Sequence, residues 1–309
     1  MSLRLEMLQV ARLAPKTLGD AANSVRSFVL SQRNADGGFC DRTGRSDLYY
    51  TVFGLDCLLA LQADEELHVS QEFLESFGAG ERLDFVHLCC LARGWASLRH
   101  ACRNPKIAES TDANLRARLG FFRAKDGGFH PSGSAAEFGT AYGAFLGTGA
   151  LQDLKSEIPD SARLTASLGL LRAEDGGWAN ERIVVAGMGG GSRILSGATN
   201  STAAVVAVLR NLRHPVDAAA GRWLLSCYHN SGGFLAMPQA PLPDLLSTAT
   251  ALHALSGLQV PFDGLRERAL DFIDSLWVNT GSFHAHWAED MLDVEYTYYG
   301  LLALGHLAE

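Results

Sequence analysis

Residues 36–61 read DGGFCDRTGRSDLYYTVFGLDCLLAL, and they decide the fold because their pattern returns along the chain. A pair of glycines and an aromatic residue come first, and a polar loop follows. Asp47 then opens an apolar segment, with Thr51 four residues later. The same order begins again at Asp126, Asp175, Ser231 and Thr280. A unit that recurs at this spacing predicts a repeat architecture.

A further unit is hidden in this series. The interval between the glycine turns at 37 and 127 is about twice as long as the later intervals. The segment LDFVHLCCLARGWASL at 83–98 supplies the missing unit. Asp84 occupies the acid position, and Leu88 replaces the threonine. The sequence therefore predicts six degenerate repeats with GGF turns.

Each unit reads as a helical hairpin. The helix before the glycines is amphipathic, and we predict it at 20–32, 67–77, 112–123, 160–172, 216–229 and 265–277. The helix after the loop carries almost no charge and should be buried on nearly every side, at 48–61, 85–100, 138–151, 199–212, 245–258 and 294–307. The glycine pair suits a sharp reversal at positive φ. The residues placed to cap the apolar helices are Asp47, Asp84, Asp244 and Asp293.

The last unit, at 294–307, is as apolar as the internal ones. An open array of repeats needs polar ends, whereas a closed ring has no ends to cover. We therefore predict a single all-α domain over 1–309, an α6-α6 toroid or double-ring helical barrel. The apolar helices form its inner ring, and the amphipathic helices form its outer ring. The acid-bearing helix starts then meet at one mouth of a central cavity.

Composition narrows the possible partners. The 309 residues carry a net charge of −8, which argues against nucleic acid as the main ligand, since phosphate binding needs a basic face. No run of apolar residues is long enough to span a membrane. Arg4, Glu6 and Arg12 interrupt the N-terminal segment where a signal peptide would be apolar. The 6 cysteines are irregularly spaced, which favours reduced thiols and a cytoplasmic protein.

The repeat resembles that of the β subunits of protein farnesyl- and geranylgeranyltransferases. It resembles squalene-hopene-type cyclases more distantly. Residues 37–55 and 232–258 carry the likeness best, and it extends over about 25–307. The resemblance implies a central aromatic cavity that holds an isoprenyl chain, with its diphosphate near the mouth. It also implies a helical α-type partner subunit.

The resemblance implies one zinc ion, which turns a substrate thiol into a thiolate. The family binds it through Asp-x-Cys at one inner helix start and a histidine at the next. The matching late-repeat positions here are occupied by Ala198, Asn200 and Ser247. A shifted site is an alternative, with Asp47 and His87 as metal ligands and catalytic residues. Its third ligand would be Cys40, Cys89 or Cys90. The competing interpretation is that Asp47 caps a helix and His87 is an ordinary core or mouth histidine.

The diphosphate signature of the family is also altered. Arg182 lies near the glycine turn of the fourth unit but one residue out of step, Arg193 follows in the same loop, and Ala136 replaces an expected histidine. Both arginines are candidates for anion contact or plain solvated charges. The acidic text AEDMLDVEY at 288–296 faintly resembles a magnesium-diphosphate motif, but we do not expect magnesium there.

Aromatic residues gather on or beside the predicted inner-helix starts and suit an apolar ligand. The predicted ligand contacts are Tyr49, Tyr50, Phe53, Trp95, Tyr142, Arg182, Arg193, Asp244, Asp293 and Tyr296. The leading functional hypothesis is a prenyltransferase-type toroid that binds an isoprenoid diphosphate or another long apolar ligand. Prenyl transfer to a thiol would then need non-standard residues. The alternatives are a non-catalytic binding toroid and a terpene-cyclase-like enzyme.

Overall fold

A computed structural model describes residues 2–101, 110–185, 191–194 and 196–308, with the backbone alone at 183–185 and 191–194. Within these residues the α-helices are α1 (Leu3–Ala11), α2 (Ala14–Leu18), α3 (Ala21–Ser31), α4 (Leu48–Ala60), α5 (Gln71–Glu75), α6 (Phe85–Ala101), α7 (Thr111–Gly120), α8 (Ala141–Asp153), α9 (Ser161–Gly169), α10 (Thr199–Asn211), α11 (Ala219–Ser226), α12 (Leu245–Gly257), α13 (Arg266–Ser275) and α14 (Val294–His306). Short 3₁₀ helices cover Asp64–Ser70, Gly133–Ala135 and Asp263–Leu265.

The strands are short and pair within their own turns. Each pair is antiparallel: β1 (Phe39–Cys40) with β2 (Ser46–Asp47), β3 (Arg182–Val185) with β4 (Gly191–Ile194), β5 (Phe234–Leu235) with β6 (Pro243–Asp244), and β7 (Trp277–Val278) with β8 (Ser282–Phe283). They fasten the loop between two helices and form no larger sheet within the described residues.

The apolar helices close into a ring. We call α4, α6, α8, α10, α12 and α14 the inner helices. Each packs against the next in chain order, and α14 packs against α4. The amphipathic helices pack on the outside of this ring, so the predicted α6-α6 toroid is confirmed. The helix predicted at 67–77 is α-helical only at Gln71–Glu75, and a 3₁₀ helix that ends at Ser70 precedes it. Trp277 was predicted to be helical but lies in β7.

The repeated letters have a direct structural cause. The first glycine of the turn has positive φ, +86° at Gly37, and a Cβ there would lie 2.2 Å from the carbonyl oxygen of Val69. Phe39 donates its N–H to the hydroxyl of Thr51 at 2.9 Å. A Cβ on Gly54 would lie 2.4 Å from the Phe39 ring, so the ring sits directly on the helix backbone. Glycine, aromatic, threonine and glycine together lock the turn onto the inner helix that follows.

The predicted helix caps are confirmed. The Asp47 carboxylate accepts the backbone N–H of Tyr49 and of Tyr50, at 2.8 and 3.2 Å. The other three acids do the same at their own helix starts: Asp84 for His87, Asp244 for Ser247 and Asp293 for Tyr296. The four capped helices begin at the same end of the ring, which we call the mouth.

Helix α1 closes the opposite end, which we call the floor. It packs against α4, α8, α10 and α14. A Cβ on Gly305, near the end of α14, would lie 2.0 Å from the carbonyl oxygen of Val10. Arg12 donates to the carbonyl oxygen of Leu59 at the end of α4, at 3.0 Å. The N-terminal helix therefore makes the central space a blind cavity. No described helix has both the length and the apolar character to cross a membrane.

Candidate ligand cavity

The ring encloses a central cavity of about 520 Å³. Residues from the inner helices and α1 line it: Met7, Tyr49, Tyr142, Phe145, Ala198, Asn200, Ser201, Ala203, Ala204, Ala207, Leu246, Thr250, His253, Glu295 and Tyr299, with Asn180 from a loop. A side recess of about 70 Å³ shares Met7, Tyr49, Tyr142, Phe145 and Tyr299 with it. The two spaces therefore adjoin along an aromatic wall.

Aromatic rings form one side of the cavity. The ring of Phe53 lies 5.1 Å from that of Tyr49 and 5.7 Å from that of Tyr299, measured between centroids. Small residues from α10, such as Ala203 and Ala204, form the facing side. An apolar cavity with few polar groups is the usual form of a small-molecule site.

Glu295 is the carboxyl group in this lining. It lies in the first turn of α14, and its Oε1 accepts the hydroxyl proton of Tyr49 at 2.6 Å. Burial raises the pKa of Glu295 to about 7, because a charged carboxylate loses its water there. Burial also raises the pKa of the Tyr49 phenol far above its ordinary value. Near neutral pH the Glu295 carboxyl is partly protonated, and it lies inside an apolar space.

The mouth holds a carboxylate–histidine–carboxylate cluster. His87 Nε2 lies 3.3 Å from Asp47 Oδ2, and His87 Nδ1 lies 2.9 Å from Asp84 Oδ1. The hydrogen bond to Asp47 and the nearby Asp84 raise the pKa of His87 to about 9. The same contact holds the pKa of Asp47 below its ordinary value. His87 is therefore an imidazolium at neutral pH, with both ring nitrogens directed at carboxylates.

The predicted zinc ligands contact other groups in this structure. A metal-binding imidazole is neutral, whereas His87 is protonated between two acids. Cys40 contacts Gln32 Oε1 at 3.4 Å, and burial raises the pKa of the Cys40 thiol. No three metal-ligating side chains come together in the described part of the chain. The zinc site at Asp47, His87 and Cys40 thus stays a prediction from sequence, and no step below is routed through a metal.

The positions of the late-repeat zinc ligands have other surroundings. Ala198 and Asn200 line the cavity, and Ser247 donates its hydroxyl proton to Asp244 at 2.7 Å. In the acidic stretch at 288–296, Arg42 pairs with Glu289 and Asp293, each at 3.0 Å. Glu295 turns into the cavity instead. Glu289 and Asp293 therefore share one arginine, whereas Glu295 has different surroundings.

Of the predicted ligand contacts, Tyr49, Phe53 and Tyr142 line the cavity or its recess. The remaining described ones lie outside that lining: Tyr50, Trp95, Arg182, Asp244, Asp293 and Tyr296. Trp95 is 2% exposed and belongs to the core. Arg182 donates to the carbonyl oxygen of Leu170 at 3.2 Å and stacks on Phe138. The side chain of Arg193 lies outside the described residues. Ligand binding by any of these residues stays a prediction.

The floor contains a buried charge cluster that the sequence analysis missed. Arg4 pairs with Asp153 at 3.1 Å and lies 3.5 Å from Asp56. Arg93 donates two hydrogen bonds to Asp56 Oδ2, from its Nε and NH2 atoms, at 2.8 and 2.5 Å. The Asp56 side chain is 0% exposed and that of Arg4 is 6% exposed. The sequence did contain a signal for this cluster. Asp56 is the lone charged residue in an otherwise apolar helix, and a buried carboxylate needs a partner.

A pair of neutral histidines completes the floor. His253 lines the cavity, and its Nδ1 lies 3.0 Å from Nε2 of His306. Burial lowers the pKa of His253 to about 4 and that of His306 to about 3. Glu6 of α1 lies 4.0 Å from His253 and pairs with Arg210 at 2.9 Å. The charged residues of α1 thus serve as contacts to the ring.

Comparisons with known proteins agree with this geometry. The family model of the prenyltransferase alpha-alpha toroid domain matches residues 6–83 and 199–308. No curated protein matches the chain.

Among solved structures, a protein geranylgeranyltransferase-I from Candida albicans, complexed with GGPP, is similar to this chain. The TM-score is 0.66 at 16% identity, over 93% of this chain and 90% of that chain. The type II terpene cyclase MstE from Scytonema, without ligand, has a TM-score of 0.62 at 15% identity, over 95% and 97%. A variant of this cyclase, in complex with geranylgeranyl dihydroxybenzoate, has a TM-score of 0.64 at 14% identity. The match covers 96% of this chain and 97% of that chain. At these identities the likeness shows a shared fold.

Proposed function

The chain belongs to the prenyltransferase alpha-alpha toroid family, and from this premise we propose that it binds an isoprenoid chain in its central cavity. The observation that carries the proposal is the blind aromatic cavity of about 520 Å³. Its size lies within the range of roughly 300–1,000 Å³ that is typical of small-molecule sites. Two similar structures hold geranylgeranyl compounds, which supports the same ligand class here.

The binding mode follows from the lining. The rings of Tyr49, Phe145 and Tyr299 offer apolar surface to methyl-branched carbon chains. Small side chains on α10 leave the opposite side open. Since α1 closes the floor, a chain that enters at the mouth is removed from water along its length.

Binding is tested by filling the cavity. Farnesol and farnesyl diphosphate should raise the melting temperature of the protein, because a ligand that binds the folded state stabilises it. Ala204→Phe places a ring in the cavity and should remove that shift. Ala166→Phe, on the exposed face of α9, is the matched control and should keep it. An unmodified protein that neither compound stabilises, or an Ala204→Phe variant that responds as before, would contradict the proposal.

A second candidate function is acid-initiated isomerisation or cyclisation of the bound chain, and Glu295 is the observation that favours it. In this scheme the Glu295 carboxyl donates a proton to a carbon–carbon double bond, which leaves a tertiary carbocation on the chain. The faces of Tyr49 and Tyr299 stabilise the positive charge. Loss of a proton from a neighbouring carbon then gives an isomer of the ligand and restores the acid.

This chemistry is tested by the products of geranylgeraniol. We expect an isomer of unchanged mass, resolved by gas chromatography. Glu295→Gln keeps the shape but has no proton to donate, so product formation should fall at least about 100-fold, a typical size for loss of a general acid. Asp290→Asn, an exposed neighbouring acid, is the control. Geranylgeraniol bound by all three proteins without any product would contradict the second candidate and leave binding intact.

Prenyl transfer to a thiol is the third possibility. The described residues assemble no zinc ligands, so the proposal contains no metal step. A helical partner subunit likewise stays a prediction from the resemblance.

A further inference from the structure

The side recess has a polar character that an apolar chain does not need. It lies where α1 meets α6 and α8, and the charged groups Arg4, Arg93 and Asp153 line it. Asp56 and Asp153 balance the charge of the two arginines. Its volume of about 70 Å³ exceeds the roughly 10–15 Å³ that one water requires by this measure, so a small polar group fits.

Arg93 keeps one edge of its guanidinium available. The Nε and NH2 atoms are occupied by Asp56, and within the described residues nothing accepts a hydrogen bond from NH1. The side chain is 20% exposed although it lies deep in the ring, so that exposed surface faces the recess. Its position is fixed, because the guanidinium carbon lies 5.2 Å from the ring centre of Phe53 and 5.8 Å from that of Tyr298.

A second donor lacks a partner at the same place. The Tyr298 ring lines the recess, and its buried hydroxyl has no hydrogen-bond partner among the described residues. A buried donor without an acceptor is costly, and the open NH1 of Arg93 lies at the same recess, so together they indicate a missing acceptor. A carboxylate supplies two acceptor oxygens and one negative charge. Since Asp56 and Asp153 already balance the two arginines, the smaller charge of a carboxylate meets less repulsion there than a diphosphate would.

We propose that the recess at Arg93 binds the carboxylate head of an isoprenoid acid, so that the carbon chain runs from the floor toward the mouth. This inference rests on the proposed binding of isoprenoids in the cavity. It sets the polarity of the ligand: the charged end lies at Arg93, and the apolar end lies near Glu295 and Tyr49.

The test compares farnesoic acid with its methyl ester, by calorimetry on the full chain. The ester keeps the carbon chain but loses the charge. We expect the acid to bind about 10- to 100-fold more tightly, the range for a hydrogen bond to a charged group. Arg93→Lys should reduce this preference to below about threefold, since lysine keeps a charge for Asp56 but lacks the free edge. Arg42→Lys makes the same change at the mouth and should keep the preference.

A second variant guards against misfolding of Arg93→Lys. A Cβ on Gly149 of α8 meets nothing within 4 Å, and this residue lines the recess, so Gly149→Leu takes up space in the recess and leaves both arginines in the sequence. It should also abolish the preference for the acid. Gly169→Leu, likewise open and at the exposed end of α9, is its control.

The outcomes separate the two proposals. Equal binding of acid and ester by the unmodified protein overturns the recess proposal and leaves isoprenoid binding standing. Loss of the preference in Arg42→Lys, with Arg93→Lys and Gly149→Leu unaffected, would place the carboxylate at the mouth and overturn it too. If the unmodified protein binds neither compound, the proposed function itself fails.

Discussion

The mouth and the floor of the cavity both carry charged residues, but they hold them in different ways. At the mouth, Asp47 and Asp84 cap their own helices and clamp His87, and the three side chains are 28%, 64% and 33% exposed. At the floor, Arg4 pairs with Asp153, 149 residues away in the sequence, and these side chains are 6% and 4% exposed. The helix caps at the mouth therefore follow from local sequence, whereas the ion pair at the floor depends on the completed ring.

The difference has an energetic consequence. Exposed ion pairs contribute little because water already solvates their members. In a buried pair, removing one member leaves the other charged and without solvent, which is expensive. The ion pairs at the floor should accordingly contribute more to the free energy of unfolding than the ion pairs at the mouth.

The largest expected effect comes from Arg4→Met. This change removes the arginine from Asp153 and from Oδ1 of Asp56. We expect a loss of about 3–5 kcal/mol in the free energy of unfolding, as is usual when one partner of a buried ion pair is removed. Urea denaturation at neutral pH measures it. Glu289→Gln breaks only the partly exposed pair with Arg42 at the mouth, whose side chains are 26% and 34% exposed, and should cost no more than about 1 kcal/mol. If the two variants lose the same free energy of unfolding, the proposed difference between the floor and the mouth is wrong.

A smaller effect should come from His87, and it should depend on pH. The folded pKa of about 9 lies above the ordinary value of 6.5, so protonated His87 stabilises the fold. This contribution is fully present below pH 6.5 and disappears as the pH rises through 9. After solvent screening we expect it to be on the order of 1 kcal/mol.

The measurement is the difference in unfolding free energy between the unmodified protein and His87→Gln across that range. The difference should be largest in mildly acidic solution and shrink in alkaline solution. A difference that stays constant from acid to alkali would show that His87 contributes packing and no charge.

The smallest effect is expected at Asp244, where the carboxylate caps α12. Asp244→Ala should cost about 1 kcal/mol, the usual value of a helix N-cap. Asparagine caps a helix equally well, so Asp244→Asn should stay within about 0.5 kcal/mol of the unmodified protein. Thermal or urea unfolding distinguishes the two. If the asparagine variant loses as much as the alanine variant, the charge of Asp244 matters and a simple cap is the wrong account.

The sequence predicted the ring because its signals are local and repeated. A glycine at positive φ, an aromatic residue that packs on a helical glycine, and a threonine that holds the turn recur in the same order. Residues such as Gly37, Phe39 and Thr51 therefore report their structure without knowledge of the rest of the chain. The helix caps could be predicted for the same reason.

The floor could not be predicted in this way. Arg4 and Glu6 read as charges that interrupt an apolar segment, yet they are the contacts of α1 with the ring. Their partners Asp153 and Arg210 lie more than a hundred residues away, and no local pattern joins them. Arg93 and Asp56 gave a weaker sign as isolated charges in apolar helices. Glu295 was visible as one acid among several, but its burial next to Tyr49 emerges only after the ring closes.

The most direct test of the account is a crystal structure of the protein with farnesoic acid. We predict electron density for the ligand inside the ring, with its carboxylate within hydrogen-bonding distance of Arg93 NH1 and its carbon chain passing Tyr49 toward the mouth. A carboxylate bound beside Arg42 or His87, or a ligand outside the cavity, would contradict the account.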